Sequence, residues 1–251
     1  METLREQLRA IAARSQSRVH LWVEFINSFG LQQAAEIGVY RGDFARALLQ
    51  GCAGLTRYYM VDPWKHLTDW NKPANHPDAE LETYYQETMA KTDFASGKRV
   101  ILRGKTVEVI GAIPDETLDF AYIDGDHTLR GITIDLISLY PKVRTGGFLC
   151  GDDFCSSIWE HRSTFEPTLV FPLAVHFAEA VGDTIFGLPY SQFCLQKTGE
   201  NNFSFGDLTG NYSDTALLNQ VAPHKLFKLA MGERFPRTMS ILRRAKAVLS
   251  R

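Results

Sequence analysis

At 251 residues and a formal net charge of -2, the chain has the length for one α/β domain with extensions, and no surplus of positive charge with which to grip nucleic acid. With 45% hydrophobic and 22% charged residues, its composition is that of a soluble globular protein with a sizeable core. No stretch is apolar for long enough to span a bilayer, and Met1–Ser15, rich in Glu, Gln and Arg, does not read as a signal peptide; no stable membrane insertion is expected.

Leu4, Leu8 and Ile11 recur at helical spacing, as do Val19, Trp22, Val23 and Ile26, which predicts a helical extension over residues 1–33, packed in front of a sheet. From Ala34 short apolar runs alternate with helical stretches. The runs are Ala34–Val39, Tyr58–Val61, Val100–Leu102, Leu118–Ile123, Phe148–Cys150, Thr184–Leu188 and Phe193–Gln196. Continuous apolar runs predict strands buried on both faces, hence an α/β, Rossmann-like, mainly parallel sheet with crossover helices. Only Pro189–Gln192 separates the last two runs, too little chain for a parallel crossover, so they are expected to close the sheet as an antiparallel hairpin. Polar, Gly- and Asn-rich Thr198–Asp214 reads as a linker to a helical C-terminal tail. The expected division is therefore a helical extension over 1–33, a sheet domain over 34–197, and a linker and tail over 198–251.

The first strand ends in Glu36-Ile37-Gly38-Val39-Tyr40-Arg41-Gly42, and Asp43–Leu49 then looks helical. Glycine at such a bend lets backbone approach a ligand with no Cβ in the way. The spacing is E-x-G-x-x-x-G, not the G-x-G-x-x-G that cradles a pyrophosphate, which fits a cofactor without phosphate whose ammonium a carboxylate could face. A plain strand-to-helix turn would look the same. Asp62, however, ends the next run about twenty residues after Gly42, where an acidic residue can accept both hydroxyls of a ribose. Together the two features indicate a nucleoside site.

Leu118–His127, which contains Ile123-Asp124-Gly125-Asp126-His127, is followed by Asp135-Leu136, Gly146-Gly147 and Gly151-Asp152-Asp153-Phe154. With EIGVYRG and VDPW, this set resembles the IDGDH-type class I methyltransferases, related to macrocin-type and catechol-type O-methyltransferases, over about Ala34 to Lys197. The resemblance implies a seven-stranded sheet, S-adenosylmethionine as methyl donor, and often a divalent metal. Glu36, Gly38 and Gly42 then match the cofactor loop, Asp62 the ribose contact, and Lys105 and Thr106 the neighbourhood of the adenine. A terminal hairpin also separates methyltransferases from dinucleotide dehydrogenases.

Asp124 closes one expected strand, and Asp152 and Asp153 follow the next, so three carboxylates should meet where α/β sheets bind ligands. They would repel one another unless a cation neutralised them, and an all-oxygen set suits Mg²⁺ or Mn²⁺. The alternative is that Asp126 and Asp153 cap loops and no metal binds. His127, three residues after Asp124, is either a base for the acceptor hydroxyl or a structural residue of the cofactor pocket. The aromatic and polar stretch Pro63–Asp78 reads as a lid, in which Trp64 either packs on adenine or seals the sheet, and Trp159, His161 and Arg162 are candidates for the acceptor side.

The expected reaction is methyl transfer to the hydroxyl of a small-molecule or sugar acceptor, with Asp124 and His127 catalytic and Asp124, Asp152 and Asp153 as metal ligands. The rivals are a non-catalytic cofactor-binding scaffold and a nucleotide-dependent dehydrogenase. Cys52, Cys150 and Cys194 lie in apolar surroundings and no CxxC pair occurs, which suits reduced thiols and a cytoplasmic setting. From His224 onward, eight Lys or Arg residues face one acid, Glu233, and Ile241, Leu242, Ala245, Val248 and Leu249 form an apolar stripe. The tail is expected to dock on its own domain or on a second subunit, a weak contact with an anionic membrane surface being the alternative, and together with the N-terminal helices it suggests a homo-oligomer.

Overall fold

A computed structural model describes residues 3–162, 164–212 and 221–236. Two helices open the chain, α1 (Leu4–Arg14) and α2 (Arg18–Ser28). Thr3 caps α1 in a reciprocal box with Glu6, and the Ser17 hydroxyl accepts the His20 N–H at 3.1 Å to start α2. Their buried faces carry the expected Leu8, Ile11, Trp22 and Ile26 together with Leu21 and Phe25, while Leu4, Val19 and Val23 are only partly buried. Trp22 packs within 5.3–5.6 Å of the Phe25, Phe120 and Tyr122 rings, which binds the extension into the core of the sheet.

The sheet is built from β1 (Gln33–Ile37), β2 (Arg57–Asp62), β3 (Arg99–Arg103), β4 (Leu118–Ile123), β5 (Val143–Gly151), β6 (Thr184–Leu188), β7 (Gln192–Gln196) and β8 (Ser204–Asp207), in the order β3-β2-β1-β4-β5-β7-β6-β8. The first five strands are parallel; β7 runs antiparallel to β5 and β6, the expected hairpin. Helices α3 (Asp43–Gly51), α4 (Asp78–Lys91), a one-turn α5 (Thr106–Val109), α6 (Leu129–Leu139) and α7 (Val170–Val181) complete the layers. One core layer joins α1, α2 and α3 to the sheet, and the other joins α6 and α7 to its opposite face.

An eighth strand corrects the seven-strand expectation. β8 lies inside the stretch that reads as a linker and pairs parallel with β6, Ser204 opposite Thr184 and Asp207 opposite Gly187. It has no apolar run because it is an edge strand, half in solvent. Its Gly206, which looks like a breaker, is what the packing needs: a Cβ there would stand 2.4 Å from Phe186 Cδ1. Past β8, α8 (Pro223–Arg234) buries no residue and leaves Phe227 66% exposed, and the apolar stripe from Ile241 to Leu249 lies outside the described residues.

Candidate active site

The sheet order sets the site. The carboxyl ends of β3, β2, β1 and β4 stand side by side and floor a cavity of about 630 Å³, whose lining includes Glu36, Gly38, Asp62, Lys105, Thr106, Asp124, His127, Asp135 and Asp153. At the tip of β1, Gly38 has φ +88°, and a Cβ on it would meet the Asp124 carbonyl oxygen at 2.0 Å. Gly42, at φ +73°, starts α3 where a Cβ would press on Thr88. Both positions demand glycine.

Glu36 is 1% exposed and accepts the Tyr58 hydroxyl at 2.8 Å; burial, against that hydrogen bond, pushes its carboxyl up to about 8. A bound ammonium is the group that would relieve this. At the tip of β2, Asp62 accepts the backbone N–H of Tyr40 at 2.8 Å and of Trp64 at 2.7 Å, one on each oxygen, which fixes the carboxylate plane. Burial raises it to about 6, with the two N–H groups pulling back. Thr106 donates to buried Asp135 at 2.6 Å, and burial lifts Asp135 to about 7. Lys105 caps the same turn through its backbone N–H to Glu108. In the sequence Asp135 stands only as part of the Asp135-Leu136 motif, with no role assigned to it, and it lies on the buried face of α6.

At the β4–β5 end the structure rearranges the expected metal set. Asp124, His127 and Asp153 offer ligand atoms within 4.8 Å of one another, and Asp152 is not among them. Arg18 of α2 pairs with Asp152 and, at 2.9 Å, with Asp124, while Gln192 Nε2 donates to Asp152 at 2.5 Å. A guanidinium from a segment over a hundred residues distant therefore neutralises two of the three aspartates, which no local motif could announce.

His127 sits between two carboxylates of the cluster. Its Nδ1 donates to Asp153, while Nε2 lies buried 3.6 Å from Asp124 Oδ1, beyond hydrogen-bond reach and without a partner among the described residues. Burial alone would lower the imidazole; the two carboxylates outweigh it and push it up to about 10. So held, His127 favours the imidazolium, which must lose its Nε2 proton before it can act as a base or as a metal ligand. Asp153, left-handed at φ 55°, is drawn below the usual carboxylate range by His127 against its burial.

The stretch Pro63–Asp78 roofs the cavity. Lys72, 5% exposed, donates to the Glu166 carbonyl at 2.9 Å, to the Pro167 carbonyl at 3.3 Å and to the Thr168 hydroxyl at 3.2 Å. Trp70 Nε1 reaches Asp126 at 2.9 Å, and Arg130 grips Asp69 at 2.8 Å. Trp64 is 1% exposed, donates to the Tyr40 carbonyl and meets Tyr85 edge-on, so it seals the sheet. On the acceptor side His161 lines the cavity, whereas Trp159 and Arg162 do not.

Residues 35–154 match a methyltransferase domain family. That span begins inside β1 and ends just past Asp153, so it takes in every strand tip that floors the cavity. Over residues 35–154 the chain carries a methyltransferase domain, consistent with the class I, S-adenosylmethionine-dependent family that its motifs resemble. The dehydrogenase alternative is thereby set aside. Among solved structures, the methyltransferase is similar in fold to an inferred caffeoyl-CoA O-methyltransferase from Staphylococcus aureus, at TM-score 0.54 and 16% identity over 78% of this chain and 93% of that one. An O-methyltransferase from Bacillus cereus in complex with SAH aligns at TM-score 0.51 and 16% identity, over 75% and 86% of the two chains. The O-methyltransferase TomG from Streptomyces achromogenes, in complex with SAM, aligns at 0.51 and 13%, over 79% and 91%. No curated protein matches the chain.

Proposed function

We propose that this methyltransferase carries the methyl group of S-adenosylmethionine to a hydroxyl oxygen of a small-molecule acceptor, sugars included. The observation that carries the reading is the continuity of one cavity from Thr106 and Asp62 past Glu36 to the cluster of Asp124, His127 and Asp153. Adenine, ribose and methionine then lie in that order along the strand tips, and the sulfonium faces the acidic end. Glu36 would meet the methionine ammonium, and Asp62 the ribose hydroxyls. Transfer is an in-line displacement at a sulfonium, so alignment and a dry roof supply most of the rate. The roof over Pro63–Asp78 and its Lys72 anchor serve both ends. Relatives in fold whose names give O-methyltransferase activity support oxygen as the target atom. Incubation with methyl-labelled S-adenosylmethionine and panels of hydroxylated sugars, phenols and glycosides tests it. A methyl ether product is expected. Methylation only at nitrogen or sulfur overturns the target atom, and cofactor binding with no turnover on any panel favours a scaffold.

A divalent cation belongs to the same proposal. Asp124, His127 and Asp153 fit one, because the orphaned His127 Nε2 has the lone pair a metal takes once its proton leaves. The imidazole shifts the preference from Mg²⁺ towards Mn²⁺ or a similar borderline ion. Such an ion would lower the pKa of the acceptor hydroxyl. EDTA is expected to abolish transfer while calorimetric binding of S-adenosylhomocysteine persists, with Mn²⁺ restoring the rate; full activity in EDTA refutes the ion. The four free thiols suit a reducing cytoplasm. A homo-oligomer, covering the exposed apolar side chains of α8, should give a light-scattering mass above 28.3 kDa, and a monomer at every concentration refutes it.

A further inference from the structure

Resting on the S-adenosylmethionine reading above, we propose that Arg18 of α2 is the cation that receives the α-carboxylate at the methionine end of the cofactor. That end carries an ammonium and a carboxylate on one carbon, so its pocket must present both signs within a few ångströms. Glu36 and Asp124, on the adjacent tips of β1 and β4, supply the negative half. Arg18 lines the same cavity, bonds Asp124 at 2.9 Å, and stands close enough to Glu36 to pull its carboxyl downward against burial.

The other Arg and Lys side chains lining the cavity are engaged or distant. Arg41 is held in a fork by Glu87 at 2.9 and 3.2 Å, Arg130 by Asp69, and Lys72 by the oxygens of the facing loop. Lys65 and Lys105 lie beyond the ribose position marked by Asp62, towards the β3 end. Arg18 reaches Asp124 and Asp152 through Nη1, and its Nη2 and Nε make no hydrogen bond to a described residue. That leaves one edge of the guanidinium fork for a second, bidentate carboxylate. The side chain is also set in advance. Its guanidinium carbon lies 5.4 Å from the centre of the Phe44 ring, and Gln192, buried and bonded to Trp22 at 2.7 Å and Tyr122 at 2.6 Å, fixes the Asp152 that holds it.

The experiment pairs a protein deletion with a ligand deletion. S-Adenosylhomocysteine and its decarboxylated form, S-adenosyl-3-thiopropylamine, differ only by the carboxylate in question. Calorimetry on the full chain should show the wild type favouring S-adenosylhomocysteine, and Arg18→Ala weakening that ligand by about 10- to 100-fold. The same variant should bind the amine to within about 3-fold of wild type, so that the two deletions are coupled. Arg18→Lys, which keeps the charge and loses the fork, should fall between. Equal weakening of both ligands by Arg18→Ala would mean that Arg18 acts only by neutralising Asp124 and Asp152, and overturns the proposal. So does unchanged binding of S-adenosylhomocysteine. Binding of neither ligand by the wild type would instead bring down the cofactor reading itself, a separate and recognisable failure.

Discussion

Glu36 shows how a residue legible in sequence becomes costly in structure. Its place in E-x-G-x-x-x-G marks it for an ammonium, but the sequence does not say that it is buried at 1% exposure with a tyrosine hydroxyl as its close partner. Its pKa, raised from 4.5 to about 8, means that the folded chain keeps a proton which the unfolded chain releases. Stability from this group is therefore full below about pH 4.5 and falls as pH climbs towards 8. Glu36→Gln removes that slope, so its melting temperature should rise above wild type progressively from pH 5 to pH 8. Asp62 and Asp135 titrate with the same sign in both proteins and cancel in the comparison. The variant should also lose affinity for S-adenosylhomocysteine by about 10-fold or more, because a neutral amide cannot balance the ammonium. A variant no more stable at pH 8 than at pH 5, relative to wild type, contradicts the buried charge. Asp124, Asp62 and the glycines were readable because each sits beside its own strand end. Arg18 and Gln192 were not, since they reach the site through tertiary packing from elements whose local pattern speaks only of helix or strand.

Among the elements, the lid is the one whose existence the sequence announces and whose fastening it conceals. Pro63–Asp78 reads as a long polar and aromatic insertion, and the structure lays it over the cavity with Lys72 as its main anchor. Three neutral oxygens hold that ammonium, and burial lowers its pKa, so the anchor works by hydrogen bonding and not by an ion pair. Lys72→Met keeps the bulk and removes the donors. Hydrogen exchange and limited proteolysis should then quicken in residues 63–78 and 164–168, with the protection of β1, β2 and β4 unchanged. Uniform loosening of the sheet would show that Lys72 supports the core instead. β8 teaches the converse lesson. Ser204-Phe205-Gly206-Asp207 looks like linker because local composition decides such readings, yet an open edge of β6 supplies pairing that outweighs propensity.

At the scale of the whole molecule, the stretch that matches the family and the stable unit are not the same object. Residues 35–154 hold the whole family match but leave out α1, α2 and the β6–β7 hairpin. Losing the burial of Trp22, Phe25, Phe193 and Leu195 alone costs about 6–12 kcal/mol at about 1.5–3 kcal/mol per side chain, comparable with the entire stability of a typical domain. A chain cut to 35–154 should therefore show no cooperative unfolding transition by calorimetry, and a sharp transition would disprove this account. The bond from Trp22 to Gln192 spans 170 residues of chain. Its consequence lies in biosynthesis. A ribosome adding about 5–20 residues per second takes on the order of ten seconds or more between making the indole and making the amide that receives it. During that interval the motifs for cofactor binding have already emerged, and the helix bearing Arg18 can reach Phe120 and Tyr122 but not the hairpin that completes its burial. The first-made helices are thus left incompletely sealed, and nascent chains stalled before residue 192 should recruit chaperones that chains stalled well beyond it do not.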